Sequence, residues 1–129
     1  MLDRVMLIDD NEADLLYTSI VLQRSGTARE VLSFESAREA LASLGAPGAL
    51  RVDLILLDIN MPGMNGFEFL VEYEQLLEAQ RSLAVVVMLT SSPDPSDRDR
   101  ALAFASVKGY VIKPLEREAA LALVGFARS

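Results

Sequence analysis

Carboxylate, hydroxyl and ammonium side chains stand at the ends of short apolar runs along this chain of 129 residues. In chain order they are Asp9 and Asp10 after the first run, Asp58 after the third, Thr90 at the end of the fourth and Lys113 after the fifth. Three carboxylates brought together repel one another, and a hard divalent cation such as Mg²⁺ relieves that repulsion. A metal, a carboxylate, a hydroxyl and an ammonium together suit phosphoryl transfer, because the two cations offset charge on the transferring oxygens.

The elements that must position these side chains follow from the same apolar runs. Continuous runs of valine, isoleucine and leucine are typical of parallel strands covered on both faces. We predict one domain over residues 1–129, in which five β-α units form a doubly wound α/β sheet. The predicted strands are residues 5–8, 31–34, 54–57, 85–89 and 110–112. The carboxyl ends of parallel strands meet at one edge of such a sheet, so the polar side chains converge in a crevice there.

Helix-start patterns occupy the segments between the predicted strands. Residues 36–39 and 65–68 read SARE and NGFE, which resemble capping boxes, and Asp94 precedes a proline that suits a first helical position. The apolar spacing that predicts the first helix involves Ala13, Leu16, Ile20 and Val21.

The composition excludes several classes of chemistry. The chain has no cysteine and no histidine, which excludes disulfides, thiolate catalysis, serine–histidine catalysis and a phosphohistidine on this chain. The net charge of −7 argues against a nucleic-acid partner, which would require a basic face. The apolar runs are shorter than a signal peptide or the roughly 20 residues of a membrane span. We therefore expect a cytoplasmic protein without a membrane partner.

Four segments together resemble the response-regulator receiver family in order and spacing. They are Asp9-Asp10, the sequence LLDINMPGMNG at residues 56–66, Leu89-Thr90-Ser91 and Lys113-Pro114. The resemblance covers essentially the whole chain. It implies a flavodoxin-like (βα)5 fold with a five-stranded parallel sheet, and a stand-alone receiver domain of a bacterial two-component pathway. It also implies a cis peptide bond between Lys113 and Pro114.

The resemblance implies a role for each residue of the predicted pocket. Asp58 corresponds to the phosphoacceptor, which forms an acyl phosphate. Asp10 and Asp58 would bind Mg²⁺ directly together with the backbone carbonyl of Asn60, and Asp9 would act through metal-bound water. Lys113 would pair with the phosphoryl oxygens.

Two further residues correspond to the switch positions of that family. Thr90 would swing its hydroxyl toward the new phosphoryl group, and Tyr110 would turn inward as that space changes. Asn60 and Ser92 match positions that tune dephosphorylation in the family. The signal would then pass by protein contact through the face formed by the fourth helix, the fifth strand and the fifth helix.

The absence of histidine implies that the phosphoryl donor is a separate molecule. We expect a sensor histidine kinase, a histidine phosphotransfer protein or a small phosphodonor, together with a downstream protein target. We expect no turnover of an external substrate. Residues 119–127 form an apolar run that either serves as a contact face for a partner or a second copy or reflects the helix propensity of alanine. Such a face would include Leu102, Phe104 or Val107 from the preceding helix.

Three alternatives remain on sequence grounds. A Mg²⁺-dependent phosphohydrolase of the aspartyl-phosphate type would have a second aspartate two residues after the first, whereas Asn60 follows Asp58 there. A flavin or nucleotide module would need phosphate-cradling glycines or hydroxyls after the first strand, where this chain has acids. The third alternative is a receiver-like interaction module that works without phosphorylation.

Overall fold

A computed structural model describes residues 1–49, 51–80 and 84–128 of the chain. Strands and helices alternate throughout these residues, in agreement with the predicted α/β fold class. Their bounds are β1 Leu2–Ile8, α1 Glu12–Arg24, β2 Ala28–Phe34, α2 Ala37–Gly45, β3 Leu54–Leu57, α3 Gly66–Gln80, β4 Val85–Thr90, α4 Pro95–Leu102, β5 Val107–Ile112 and α5 Arg117–Arg128. Among the described residues, no helix has the length and apolar character that a membrane span requires.

The five strands form one parallel sheet in the order β2-β1-β3-β4-β5. The strand order reverses direction between β1 and β3, which therefore lie side by side at the topological switch point. Their register pairs Ile8 with Leu57, the last residue of each strand. The residues that follow these two strands must consequently leave the sheet next to each other.

Apolar side chains on both faces of the sheet explain why the strands read as continuous apolar runs. Alternate residues of a strand point to opposite faces. In β3, Ile55 and Leu57 belong to one buried cluster, whereas Leu54 and Leu56 belong to the other. The first cluster includes residues of α2, α3 and α4, and the second includes residues of α1 and α5. The prediction of helices on both faces is confirmed.

The predicted helix starts are confirmed by their hydrogen bonds. The backbone N–H of Glu39 donates to Ser36 Oγ over 3.4 Å. The Asn65 and Glu68 pair forms a reciprocal capping box, with the Glu68 N–H donating to Asn65 Oδ1 over 2.9 Å and the Asn65 N–H donating to Glu68 Oε1 over 3.0 Å. Asp94 caps α4, and Pro95 occupies its first position.

The first helix forms where it was expected, but the residues that it buries are not those whose spacing predicted it. Leu15, Thr18 and Leu22 are the buried residues of α1. Leu16 and Ile20, two of the residues whose apolar spacing predicted this helix, are 63% and 41% exposed. The apolar spacing therefore located the helix but did not mark its buried stripe, in which Thr18 is polar.

Several strands begin earlier than the apolar runs do. β1, β2 and β5 start three residues before their predicted starts, at Leu2, Ala28 and Val107. Val107 was wrongly assigned to the fourth helix: it is a buried strand residue, and Phe104 follows the end of α4. In α5, Ala120 and Leu123 are fully buried while Leu121 is 45% exposed, so the apolar run of this helix has one buried side.

Candidate functional site

The residues that follow β1, β3 and β5 bring charged side chains to the carboxyl edge of the sheet. Asp9 and Asp58 leave the adjacent strands β1 and β3, and the backbone N–H of Asp58 donates to the carbonyl of Ile8 over 3.0 Å. Lys113 follows β5, and its backbone N–H donates to the carbonyl of Thr90, the last residue of β4, over 2.9 Å. The structure therefore places these predicted residues at one site.

Three carboxylates form the acidic side of this site. Asp9, Asp10 and Asp58 each present an oxygen within 4.8 Å of the others. Asp9 and Asp58 are buried, at 7% and 6% exposure, whereas Asp10 is exposed. The Oδ1 atom of Asp58 is buried and has no hydrogen-bond partner among the described residues. A set of carboxylate oxygens with one buried oxygen left unpaired fits a hard divalent cation such as Mg²⁺.

Lys113 supplies the positive charge of the site. Its Nζ atom lies 2.6 Å from Asp9 Oδ2, 2.9 Å from Asp14 Oδ2 and 3.2 Å from Asp58 Oδ2. Burial alone would lower the pKa of Lys113, but the hydrogen bonds to Asp9 and Asp14 raise it above its ordinary value. The ammonium is therefore charged throughout the neutral range. The Lys113–Pro114 peptide bond is cis, as the resemblance implied.

Asp14 was missed as a site residue by the sequence reasoning. It lies in the first turn of α1, and its contact with Lys113 joins residues 99 positions apart. An acid in the first turn of a helix is ordinarily explained by the helix dipole alone. Nothing in the local sequence distinguishes such an acid from one that also pairs with a distant lysine.

Burial sets the electrostatic character of Asp9. It raises the pKa of this carboxyl above its ordinary value, and hydrogen bonds from Lys113 and from the backbone N–H of Asn11 offset only part of that effect. The negative charge of Asp58 acts in the same direction as burial. Negative charge at the carboxyl edge of the sheet is therefore unfavourable until a cation binds there.

The predicted switch residues are linked through Ser92. Thr90 is fully buried, and its Oγ1 accepts the backbone N–H of Ser92 over 3.4 Å. The hydroxyl of Tyr110 donates to the carbonyl of Ser92 over 2.8 Å, and Ser92 Oγ donates to Asp97 in α4 over 2.6 Å. The loop after β4 therefore connects the carboxyl edge of the sheet with α4 and β5.

The loop after Asp58 depends on two glycines and carries the remaining predicted site residue. Asn60 lies two residues beyond Asp58 and is exposed. Gly63 has a φ of 75°, a conformation that favours glycine. At Gly66 an added Cβ would lie 2.5 Å from the backbone oxygen of Asp58, so any side chain there would displace the backbone of Asp58. The loop therefore packs directly against the strand end that presents Asp58.

Comparisons with known proteins agree with this architecture. Residues 5–124 match the family model described as the response regulator receiver domain. Two-component response regulator ORR1 of Oryza sativa subsp. japonica is 30% identical over 118 residues, which are 88% of this chain and 50% of that protein. Sensor protein GacS of Pseudomonas syringae pv. syringae is 33% identical over 120 residues, which are 91% of this chain and 12% of that protein. The chain thus spans half or less of the length of these curated relatives.

Solved structures are similar along nearly their whole length. A two component response regulator from Cytophaga hutchinsonii is 32% identical with a TM-score of 0.88, and the match covers 98% of this chain and 97% of that one. A response regulator receiver protein from Dyadobacter fermentans DSM 18053 is 34% identical with a TM-score of 0.85, and the match covers 97% of each chain.

Proposed function

Because the chain belongs to the response regulator receiver domain family of two-component systems, we propose that it is a signalling switch activated by phosphorylation of Asp58. The observation that carries this proposal is the state of the Asp58 carboxylate. It is buried at the end of a central strand, with Oδ2 held by Lys113 and Oδ1 without a hydrogen-bond partner among the described residues. The site thus presents one oxygen that is free to act as a nucleophile.

The proposed step is the transfer of a phosphoryl group to Asp58 Oδ1. The bond from phosphorus to the donor's histidine nitrogen breaks, the bond from phosphorus to Oδ1 forms, and the nitrogen keeps the electron pair of the broken bond. Lys113 loses a carboxylate partner in this step, because the acyl oxygen of Asp58 no longer carries the full negative charge. Its N–H can then donate to a phosphoryl oxygen, which stabilises the product.

Mg²⁺ fits the proposed reaction. Asp9, Asp10 and Asp58, with the backbone carbonyl of Asn60, would hold the ion, which offsets negative charge on the phosphoryl group when bound. Asp9, Asp10 and Asp58 place three carboxylates at the site, and Lys113 forms ion pairs with Asp9 and Asp58. An anionic donor therefore approaches more readily once a cation is present.

The proposed output passes from Thr90 through Ser92. A phosphoryl oxygen on Asp58 gives the Thr90 hydroxyl a new partner, and a shift of Thr90 moves the Ser92 backbone that holds Tyr110. Ser92 is also bonded to Asp97, so α4 is coupled to the same movement. We propose that α4, β5 and α5 form the face that contacts a downstream protein or a second copy of the chain.

The proposed partners follow from the chemistry of the donor. The phosphoryl group comes from a sensor histidine kinase or a histidine phosphotransfer protein, and the switch acts in the cytoplasm. Its histidine-free sequence gives this chain no donor group of its own. The domain takes part in its own phosphorylation and dephosphorylation, and it turns over no external substrate.

Intact mass spectrometry after incubation with Mg²⁺ and acetyl phosphate tests the acceptor. We expect the native chain to gain the mass of one phosphoryl group, and we expect Asp58→Asn to gain none. Asp53→Asn is the matched control, because Asp53 precedes β3 at the opposite end of the strand that Asp58 follows. It should be phosphorylated like the native chain, and chelation of Mg²⁺ should abolish the gain in both.

Beryllofluoride separates a short-lived phosphoryl group from an inactive site. It mimics the phosphoryl group without being hydrolysed, so it should bind the native chain in the presence of Mg²⁺ even where no mass gain is observed. A chain that shows neither a mass gain nor beryllofluoride binding would be a receiver-like interaction module that works without phosphorylation. Steady release of phosphate from small monoesters would instead support the phosphohydrolase.

A further inference from the structure

Lys113 forms ion pairs with three carboxylates, and one of them lies outside the group that could hold a metal ion. Asp9 and Asp58 belong to the group of three carboxylates that could hold a metal ion, whereas Asp14 lies outside that group. Asp14 is on α1, its side chain is 42% exposed, and its Oδ2 lies 2.9 Å from Lys113 Nζ. This contact is shorter than the 3.2 Å between Lys113 Nζ and Asp58 Oδ2. Asp14 therefore holds Lys113 more closely than the proposed phosphoacceptor does.

The number of donors on Lys113 limits what it can bind at once. An ammonium has three N–H groups, and Lys113 Nζ donates to Asp14 Oδ2 and Asp58 Oδ2 while also lying 2.6 Å from Asp9 Oδ2. A phosphoryl group on Asp58 can accept the N–H that Asp58 Oδ2 releases, but the ammonium that donates it is also held by Asp14 Oδ2 over 2.9 Å. A phosphoryl oxygen near Lys113 would also be repelled by the negative charge of Asp14. Asp14 is outside the group of three carboxylates that could hold a metal ion.

The local structure keeps Asp14 in this position. Asn11 caps α1, and its Oδ1 accepts the backbone N–H of Asp14 over 3.1 Å. The carboxylate then reaches from the first helical turn into an open cleft that it lines together with Tyr17, Ser91, Lys113 and Pro114. Because its backbone is fixed by the cap, Asp14 cannot follow Lys113 far when the lysine moves toward a new anion.

We propose that Asp14 is a positioning residue that competes with the phosphoryl group for Lys113 and thereby weakens phosphoryl binding at Asp58. This inference rests on the proposed function and adds a regulatory element to the same site. Removing the charge of Asp14 weakens its contact with Lys113 and removes a repulsive charge from the cleft. Both effects act in the same direction, toward tighter binding of an anion on Asp58.

Calorimetric titration with beryllofluoride at saturating Mg²⁺ tests the competition. We expect Asp14→Asn to bind beryllofluoride about threefold to tenfold more tightly than the native chain, as estimated for loss of one partly solvated charge near the anion. Asp14→Glu keeps the charge and should bind close to the native value. Glu12→Gln is the matched control, because Glu12 lies in the same first turn of α1 and shares none of the three ion pairs of Lys113.

The outcomes separate this inference from the proposed function. Tighter binding by Asp14→Asn with native-like binding by Glu12→Gln supports the competition. Equal or weaker binding by Asp14→Asn overturns it, as does an equal gain in Glu12→Gln, which would indicate a general effect of net charge. Thermal unfolding of each variant without divalent cation verifies that it is folded. A native chain that binds no beryllofluoride overturns the proposed function itself and the inference with it.

Discussion

The two ends of the parallel sheet both carry clusters of charged side chains, but they balance the charges differently. At the amino end, Arg4 pairs with Glu30 over 3.3 Å, and looser pairs join Arg29 to Asp3 and Arg51 to Asp53 over 3.9 Å each. Asp53 also accepts the backbone N–H groups of Asp3 and Arg4 over 2.9 and 3.1 Å. Each acid at this end has a basic partner, so the cluster is electrically neutral.

At the carboxyl end, Lys113 is the one base of the described residues that forms ion pairs with the carboxylates of Asp9, Asp14 and Asp58, and Asp10 lies beside them. Two aspartates that flank the same strand illustrate the difference. Asp53 before β3 accepts two backbone N–H groups at Oδ2 and pairs with Arg51 through Oδ1, whereas Asp58 after β3 has a buried oxygen without a hydrogen-bond partner among the described residues. We infer that the amino end serves stability, whereas the excess negative charge at the carboxyl end favours a cation and a reacting group.

Substitution of Lys113 should have the largest effect on the difference in charge balance between the two ends of the sheet. We expect Lys113→Ala to lower the free energy of unfolding by about 3–5 kcal/mol at neutral pH without divalent cation. The reason is that the buried carboxylates that pair with Lys113 lose the positive charge that compensates them. Urea denaturation measures the change. Lys108→Ala is the matched control, since Lys108 lies on the same strand and is exposed. A similar small loss in both variants would show that the carboxyl end tolerates its charge without Lys113.

The residues that could be located from the sequence are those fixed by strand ends. Leu54–Leu57 reads as a buried strand and runs directly into Asp58, and the alternation of strands and helices makes the sheet parallel. Once the sheet is parallel, Asp9 and Asp58 must meet beside each other. The position of the pocket could therefore be predicted from the order of a few residues along the chain. The resemblance to receiver domains supplied the proposed roles of these residues.

The features that could not be located depend on how a helix is rotated or on where a long side chain ends. Asp14 reaches Lys113 in a helix that buries Leu15, Thr18 and Leu22, and the apolar spacing of the sequence did not mark these residues as the buried stripe. The early strand starts were missed because residues near strand ends, such as Arg4 and Arg29, are polar and reach solvent or ion pairs. Tertiary packing decided these features, and local pattern did not.

Mg²⁺ should stabilise the native chain through the carboxyl end alone. A ligand that binds only the folded state at about 100 times its Kd adds roughly 2.7 kcal/mol to the free energy of unfolding. We expect the thermal midpoint to rise with Mg²⁺ concentration in the native chain and in Asp53→Asn, and to rise much less in Asp10→Asn. The midpoint should fall again when the ion is chelated. An equal rise in Asp10→Asn would place the ion outside the group of three carboxylates.

The pH dependence of stability should show the smallest effect, because Lys113 already offsets part of the cost of charging Asp9. Burial raises the pKa of Asp9 in the folded state, so between the unfolded and folded pKa values the folded chain binds more protons than the unfolded chain. The contribution of Asp9 to stability is therefore greatest below the unfolded pKa, near 3.8, and is lost as the pH rises through the folded value. Without divalent cation, we expect the native chain to lose stability relative to Asp9→Asn as the pH is raised from acid to neutral. Urea midpoints of the two chains measure this difference, and a difference that stays constant over that range would show that charging Asp9 has no net cost in the folded protein.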